Sequence, residues 1–296
     1  MTKVRKEDLP KEYQEIWDST IMPVDTNISF DSVILSPENK EKYKTLIREM
    51  EYSEKLTSYG LHPSNRMILY GASGTGKTFS IKALSNLIGY TMLYVDIAKS
   101  LTEGNVAINI SNVFKLANYL GHCIIFLDEC DSITMNRDSS NSEGGVIRRA
   151  TNTLFQQLDQ MRYDNIFACA TNLYHRIDAA FIRRIDIKME FRRPELDLDL
   201  TIRHFLFPRF TLNDDVDETV REIVKRRAKQ NVRLSYYEIE EIVKTEMKKA
   251  VLNDSTIVRT SDIYEDLSKS MNFKVKVGTE TDKEEIFHNE LGYEPK

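Results

Sequence analysis

The sequence predicts an α/β fold, in which helices cover both faces of a parallel sheet, followed by a small all-helical domain. Short apolar runs alternate with longer helical patterns from residue 66 to residue 191. The first apolar run leads directly into a glycine-rich turn, and after Pro194 only helical patterns remain. Strands that alternate with helices are typical of a parallel sheet with helices on both of its faces.

The predicted strands are short apolar runs, and the third is apolar throughout, as expected for a strand buried on both faces. They lie at about 66–70, 91–95, 123–127, 165–170 and 185–191. Helical patterns are found at about 37–59, 78–88, 106–120 and 146–161, the last after a polar loop at 136–145. This order predicts a parallel sheet with helices on both of its faces.

Four segments make up the predicted domain organisation. An N-terminal extension, 1–37, is too small for a core of its own, and an α/β core follows at 38–194. Helices at about 196–207, 216–230, 235–251 and 260–271 form a second domain, 195–271, and 272–296 is a charged tail. Ser235 and Glu238 have the spacing of a capping box, which supports the start of the third of these helices.

Composition indicates a cytoplasmic globular protein. The chain has 296 residues, of which 41% are hydrophobic and 29% charged. No apolar run approaches the roughly 18 to 20 residues of a membrane helix, and the charged start does not resemble a signal peptide. The three cysteines lack the spacing of a zinc site or a disulfide framework. A net charge of −5 argues against nucleic acid as the main partner, although a basic pore built by several subunits would leave no trace here.

The glycine-rich turn fits the phosphate-loop pattern G-x-x-x-x-G-K-[ST] without a gap. Its glycines let backbone N–H groups surround phosphates, and the following helix directs its positive end at them. Lys77 is expected to reach the β- and γ-phosphates of ATP, and the Thr78 hydroxyl to ligate Mg²⁺. The alternative is an ordinary glycine-rich turn. The predicted nucleotide-binding residues are Gly71, Ala72, Ser73, Gly74, Thr75, Gly76, Lys77, Thr78, Phe79 and Asp128.

An acidic pair, Asp128 and Glu129, follows the third predicted strand. An aspartate at the carboxyl end of a buried strand beside a phosphate loop is suited to hold Mg²⁺, usually through a water. Glu129 is placed to polarise the water that attacks the γ-phosphate. The alternative is a helix N-cap followed by a solvated glutamate.

With both motifs present, the chain resembles the AAA+ ATPases over about residues 32–271, and within them most the protein-remodelling clade with its small single-module bacterial members. Ala170-Thr171-Asn172 is similar to the sensor 1 segment, which implies that Asn172 helps Glu129 to place the water. Residues 177–186 are similar to the second region of homology, which implies that Arg183 or Arg184 reaches the ATP of a neighbouring subunit.

Arginine suits that role because a planar cation stabilises the charge on a transferring phosphoryl group. The two arginines are adjacent, without the Pro-Gly spacer of many relatives, so the sequence leaves open which one acts; a surface pair in a basic turn is the alternative. Arg148 and Arg149 resemble subunit-interface residues, or else belong to a solvated helix face. Arg233 is a weak candidate for sensor 2.

An arginine that reaches the ATP of a neighbouring subunit is called an arginine finger. The resemblance therefore implies a homo-oligomeric ring, most simply a hexamer, in which the second domain is a helical lid. Relatives that thread polypeptide have an aromatic-hydrophobic-glycine triplet after the second strand. The corresponding residues here are Thr102, Glu103 and Gly104, which cannot supply an aromatic contact. Leu101 could substitute if the loop is out of register.

The resemblance therefore implies an ATP-hydrolysing ring that remodels or controls a protein partner, with bacterial or phage defence as a setting by analogy. A nucleotide-gated module that presents an effector with little turnover is the alternative, and a DNA-handling AAA+ protein is a weaker one. The sequence does not name the partner.

Overall fold

The structure, a computed structural model, describes residues 4–102, 105–134, 142–192, 198–230 and 234–277. These residues belong to two compact units, Met1–Phe191 and Arg192–Lys296. In the described ranges, no helix combines the length and the apolar character needed to cross a membrane.

The first unit alternates helices and strands. Its helices are α1 (Lys11–Thr20), α2 (Pro37–Glu51), α3 (Ser53–Ser58), α4 (Lys77–Ile88), α5 (Ile97–Thr102), α6 (Val106–Leu120), α7 (Asp131–Thr134), α8 (Ser142–Gln160) and α9 (Ala179–Ile182). Its strands are β1 (Ile21–Met22), β2 (Arg66–Tyr70), β3 (Thr91–Asp96), β4 (Cys123–Asp128), β5 (Ile166–Thr171) and β6 (Ile187–Glu190).

The six strands form one sheet in the order β1-β3-β4-β5-β2-β6. Strands β3, β4, β5, β2 and β6 are parallel, as predicted, and β1 joins β3 as an antiparallel edge strand. Because β5 pairs with both β4 and β2, the segments that follow these three strands emerge side by side at one edge of the sheet. The register places Leu127 opposite Cys169 and Tyr70 opposite Thr171.

Alternate strand residues point to opposite faces of the sheet and enter two separate cores. Ile68 and Ile125 face one core with Phe114 of α6. Leu69 and Phe126 face the other, which includes residues of α2 and α4. The predicted α/β fold with helices on both faces of the sheet is therefore confirmed.

The N-terminal residues are more closely integrated with the first unit than their composition suggests. Leu9, Ile16 and Ile21 are buried in the core that contains α6. The ring of Tyr13 in α1 stacks on Tyr119 in α6, with centroids 4.1 Å apart. The sequence did not indicate β1, because a two-residue strand has no detectable periodicity.

The second unit contains α10 (Leu198–Phe205), β7 (Thr211–Asn213), α11 (Glu218–Gln230), α12 (Tyr236–Leu252), β8 (Ile257–Arg259) and α13 (Thr260–Val277). Helices predominate, as predicted, with the addition of the short parallel pair β7–β8. The capping box is present: Ser235 Oγ accepts the N–H of Glu238, whose carboxylate accepts the N–H of Ser235.

Two predicted boundaries differ from the structure. The pattern at 37–59 is divided between α2 and α3, because the chain leaves helical geometry at Tyr52 (φ −102°, ψ 17°). Helix α8 begins at Ser142, within the segment expected to be a polar loop.

Candidate active site

The phosphate loop joins β2 to α4, and its backbone requires glycine. Gly71 has φ +140°, and a Cβ atom there would lie 2.0 Å from the carbonyl oxygen of Phe191. Gly74 and Gly76 have φ values of +73° and +95°, in the region that side chains with a Cβ avoid. These positions explain why the loop can turn so tightly before α4.

Side chains and backbone groups of the loop also bond to one another. The buried Thr75 hydroxyl donates to the carbonyl of Ala72 over 2.8 Å. Ser73 is exposed, and Phe79, in the first turn of α4, is 39% exposed. The N-terminus of α4 provides unpaired N–H groups and the positive end of a helix dipole, both of which favour an anion.

Lys77 is the cation of the loop, and it is only 8% exposed. Its ammonium donates to the carbonyls of Gly71 at 2.7 Å and Ala72 at 2.8 Å, and to Asn172 Oδ1 at 2.8 Å. Burial lowers the pKa of Lys77 to about 8, although the nearby carboxylates of Asp128 and Asp131 act in the opposite direction. An ammonium with little water around it interacts strongly with a phosphate.

Asp128 ends β4, and donors hold both of its carboxylate oxygens. The Thr78 hydroxyl donates to Oδ2 over 2.8 Å, and the Tyr94 phenol lies 3.4 Å from the same atom. The backbone N–H of Glu129 donates to Oδ1 over 3.0 Å. Thr78 and Asp128 are therefore adjacent, as their predicted joint role requires.

Oxygen ligands of this kind are those that Mg²⁺ prefers, and magnesium binds through one or two of them together with phosphates and waters. The hydroxyl of Thr78 and the carboxylate of Asp128 fit that pattern. These two residues would hold the ion.

Glu129 follows Asp128 with its side chain exposed and its φ at +51°. A left-handed backbone is unusual for glutamate and is found preferentially at functional positions. The conformation is held locally, since the Glu129 carbonyl accepts the N–H of Ser132 over 3.1 Å.

Asn172 follows β5, between the phosphate loop and the acidic pair. The preceding Thr171 hydroxyl donates to Asp131 Oδ1 over 2.7 Å and accepts the N–H of Leu173 over 2.9 Å. The structure thus brings Lys77, Thr78, Asp128 and Asn172 together at one edge of the sheet, with Glu129 beside them.

The two adjacent arginines have different surroundings. The Arg184 guanidinium pairs with Asp159 at 3.2 Å, donates to the Ala180 carbonyl at 3.0 Å and lies 4.5 Å from the centroid of the Phe155 ring. Arg183 is exposed, and within the described part of the chain its guanidinium forms no ion pair. Arg184 is therefore held by contacts within its own chain, whereas Arg183 is exposed and has no ion pair among the described residues.

The remaining candidate positions lie on α5 and α8 or outside the described residues. Arg148 and Arg149 are exposed on α8. Glu103, Gly104 and Arg233 fall outside the described ranges. Leu101 is half-buried in α5 and packs against the core that contains α6.

One feature of the site was missed in the sequence. The ring of Tyr174 stacks on that of Tyr70, with centroids 4.0 Å apart and an interplanar angle of 19°. The two residues are 104 positions apart in the printed sequence (174 − 70), and no local pattern links them.

A glycine loop between a parallel strand and a helix, with its lysine and threonine beside an aspartate that ends another strand of the same sheet, defines a P-loop nucleotide-binding protein. Residues 67–193 match the family described as "ATPase family associated with various cellular activities (AAA)". This part of the chain is thus an AAA ATPase domain, as the motifs predicted.

The chain is also similar to curated AAA proteins. It is 30% identical over 167 residues to the uncharacterized AAA family ATPase y4kL of Sinorhizobium fredii, covering 56% of this chain and 50% of that protein. It is 30% identical over 255 residues to the ATP-dependent zinc metalloprotease FtsH 1 of Alkaliphilus metalliredigens, covering 82% of this chain and 42% of that protein. The 26S proteasome regulatory subunit 6B homolog of Encephalitozoon cuniculi is 32% identical over 194 residues, which are 62% of this chain and 49% of the homolog. The chain thus spans half or less of the length of these relatives.

Proposed function

We propose that this protein hydrolyses ATP in a homo-oligomeric ring and uses the cycle to remodel or control a protein partner. The observation that carries the proposal is the contact of Lys77 with Asn172 and of Thr78 with Asp128 at one sheet edge, beside Glu129. These groups bind phosphate, hold a divalent cation and orient a water, which are the needs of phosphoryl transfer to water.

Each residue has a separable task. The Lys77 ammonium and the N-terminus of α4 bind the β- and γ-phosphates. Mg²⁺ held by Thr78 and Asp128 would supply positive charge that offsets the charge of the phosphates. The Glu129 carboxylate accepts a proton from the attacking water, and the Asn172 amide orients that water. Water can enter because both side chains are exposed.

Arg183 is the proposed arginine finger. Its guanidinium is exposed and unpaired within the described residues, whereas Arg184 is paired with Asp159 and packed on Phe155. A finger that stabilises phosphoryl charge on the ATP of a neighbouring subunit requires an oligomer, and the hexameric ring implied by the family resemblance is part of this proposal. Arg148 and Arg149, exposed on α8, are proposed to lie at the same interface.

The proposed partner is a protein. This extends to the chain what the names of its relatives say, since these include a metalloprotease and a proteasome regulatory subunit. Control of one dedicated partner, as in bacterial or phage defence, agrees better with the sequence than threading of arbitrary chains, because positions 102–104 contain no aromatic residue.

A second candidate, a nucleotide-gated module that presents an effector without turnover, is favoured by the packing of Leu101. Its side chain packs against the core and does not face a threaded chain.

Two measurements on a reconstituted partner separate the two candidate functions. Turnover-dependent remodelling requires ATP and stops with a non-hydrolysable analogue, whereas a gated module is fully active with the analogue.

Retention of the partner tests the proposal itself. Glu129→Gln with ATP should retain the partner on the ring, and Lys77→Met, which is expected to bind ATP much more weakly, should not when ATP is kept below the dissociation constant of that variant. Equal retention by both variants would contradict an ATP-controlled interaction.

A further inference from the structure

The stacked pair Tyr70 and Tyr174 lies beside the candidate active site. Tyr70 is the last residue of β2, immediately before the phosphate loop, and Tyr174 begins a short 3-10 helix two residues after Asn172. Their centroids are 4.0 Å apart, a separation at which aromatic rings attract each other. Both rings are half-buried, and Tyr174 also packs against the core that contains α6.

The stack completes a set of contacts between the phosphate loop and the turn after β5. The Gly71 N–H donates to the Thr171 carbonyl over 3.3 Å, and the Lys77 ammonium donates to Asn172 Oδ1 over 2.8 Å. Asn172 lies between the backbone contact and the stack in sequence, and its own side chain is exposed. Its position therefore depends on the turn that carries it.

We propose that Tyr174 is a positioning residue for ATP hydrolysis: its ring, seated on Tyr70, holds the turn that directs the Asn172 amide toward the phosphate loop. The inference rests on the proposed function, since Asn172 matters for rate only if the protein hydrolyses ATP. Tyr174 acts through Asn172. A small displacement of a group that orients the attacking water lowers the rate of hydrolysis strongly. It is expected to change the affinity for the nucleotide little.

Tyr174→Leu tests this proposal because it keeps an apolar side chain and removes the ring. The kcat for ATP hydrolysis is expected to fall by about tenfold, with the KM for ATP within about twofold of the wild-type value. Tyr174→Phe keeps the stack and is expected to restore kcat. Tyr119→Leu is the matched control, because it breaks a similar stack, 4.1 Å and 19°, on Tyr13 and away from the site.

A double-mutant cycle shows whether Tyr174 acts through Asn172. Asn172→Ala combined with Tyr174→Leu is expected to be no slower than Asn172→Ala alone. Fully multiplicative losses, or a wild-type kcat in Tyr174→Leu, would overturn the inference while leaving ATP hydrolysis established. A wild-type protein without turnover would overturn the proposed function and this inference together. If Tyr174→Leu folds poorly, Tyr174→Met takes its place, with the same expected split between kcat and KM.

Discussion

The ammonium of Lys77 lies 2.8 Å from Oδ1 of Asn172, although the two residues follow different strands. The pairing of β2 with β5, with Tyr70 opposite Thr171, brings them together. The group proposed to bind phosphate thus contacts the group proposed to orient water.

Lys77→Met is expected to weaken ATP binding by on the order of 100-fold, because the charge-assisted hydrogen bonds to the phosphates are lost. Binding of a fluorescent ATP analogue, or calorimetry, measures this change. Lys82→Met, on the same helix, is the control and should bind ATP normally. Comparable affinity in Lys77→Met and the wild type would show that Lys77 does not contact the nucleotide.

Arg183→Ala and Arg184→Ala are expected to impair different properties: the first lowers ATP turnover, and the second lowers stability. Arg183→Ala should lower kcat by about 10³-fold with little change in stability, because an exposed finger is lost. Arg184→Ala should lower the free energy of unfolding by about 1 kcal/mol, since it removes the contacts to Asp159 and Phe155. Steady-state ATPase assays and thermal unfolding of both variants measure the difference.

Mixed rings show whether Arg183 acts between subunits. Arg183→Ala subunits keep an intact Lys77, and Lys77→Met subunits keep an intact Arg183. Mixing the two inactive variants should therefore recover part of the ATPase activity. A mixture as inactive as its components would indicate that Arg183 does not act on a neighbouring site.

Gly71→Ala is expected to destabilise the first unit severely, by roughly 3 kcal/mol or more, because the new Cβ would meet the Phe191 carbonyl oxygen at 2.0 Å. Gly145→Ala is the matched control in helix α8, where a Cβ has no atom within 4 Å. That change should leave stability equal or raise it by roughly 0.5 to 1 kcal/mol. Urea unfolding of both variants makes the comparison, and a stable Gly71→Ala protein would contradict the loop geometry.

Asp215 is expected to make the stability of the second unit depend on pH. Burial alone would raise its pKa, but the N–H and hydroxyl of Ser261 and the guanidinium of Arg259 lower the pKa to about 2. The stabilisation is present above the usual aspartate pKa near 3.8 and is lost as the pH falls toward 2. Asp215→Asn should be less stable by about 1 kcal/mol at pH 7, after allowance for solvent screening, and the difference should shrink below pH 4. A constant difference from pH 7 to pH 3 would argue against this cause.

The features that were predictable from sequence depend on local patterns. The phosphate loop has a fixed spacing, and β4 is a continuous apolar run that ends in Asp128. Parallel strands place their carboxyl ends at one edge, so the proximity of Lys77, Asp128 and Asn172 follows from the order of elements.

The features that were not predictable depend on contacts between distant segments. Arg183 and Arg184 are indistinguishable in sequence, and only the packing of Asp159 and Phe155 from α8 separates them. The Tyr70–Tyr174 stack depends on the β2–β5 register. Strands of two or three residues, such as β1, have too few positions to display a period.

The most direct test of the account is ATP turnover by Glu129→Gln, with Glu51→Gln, an exposed glutamate at the end of α2, as the matched control. Glutamine keeps the size of the side chain but cannot accept the proton of the attacking water. The account predicts that Glu129→Gln binds ATP with wild-type affinity and loses at least about 100-fold in steady-state hydrolysis, while Glu51→Gln remains fully active. Substantial hydrolysis by Glu129→Gln would contradict the assignment of this site.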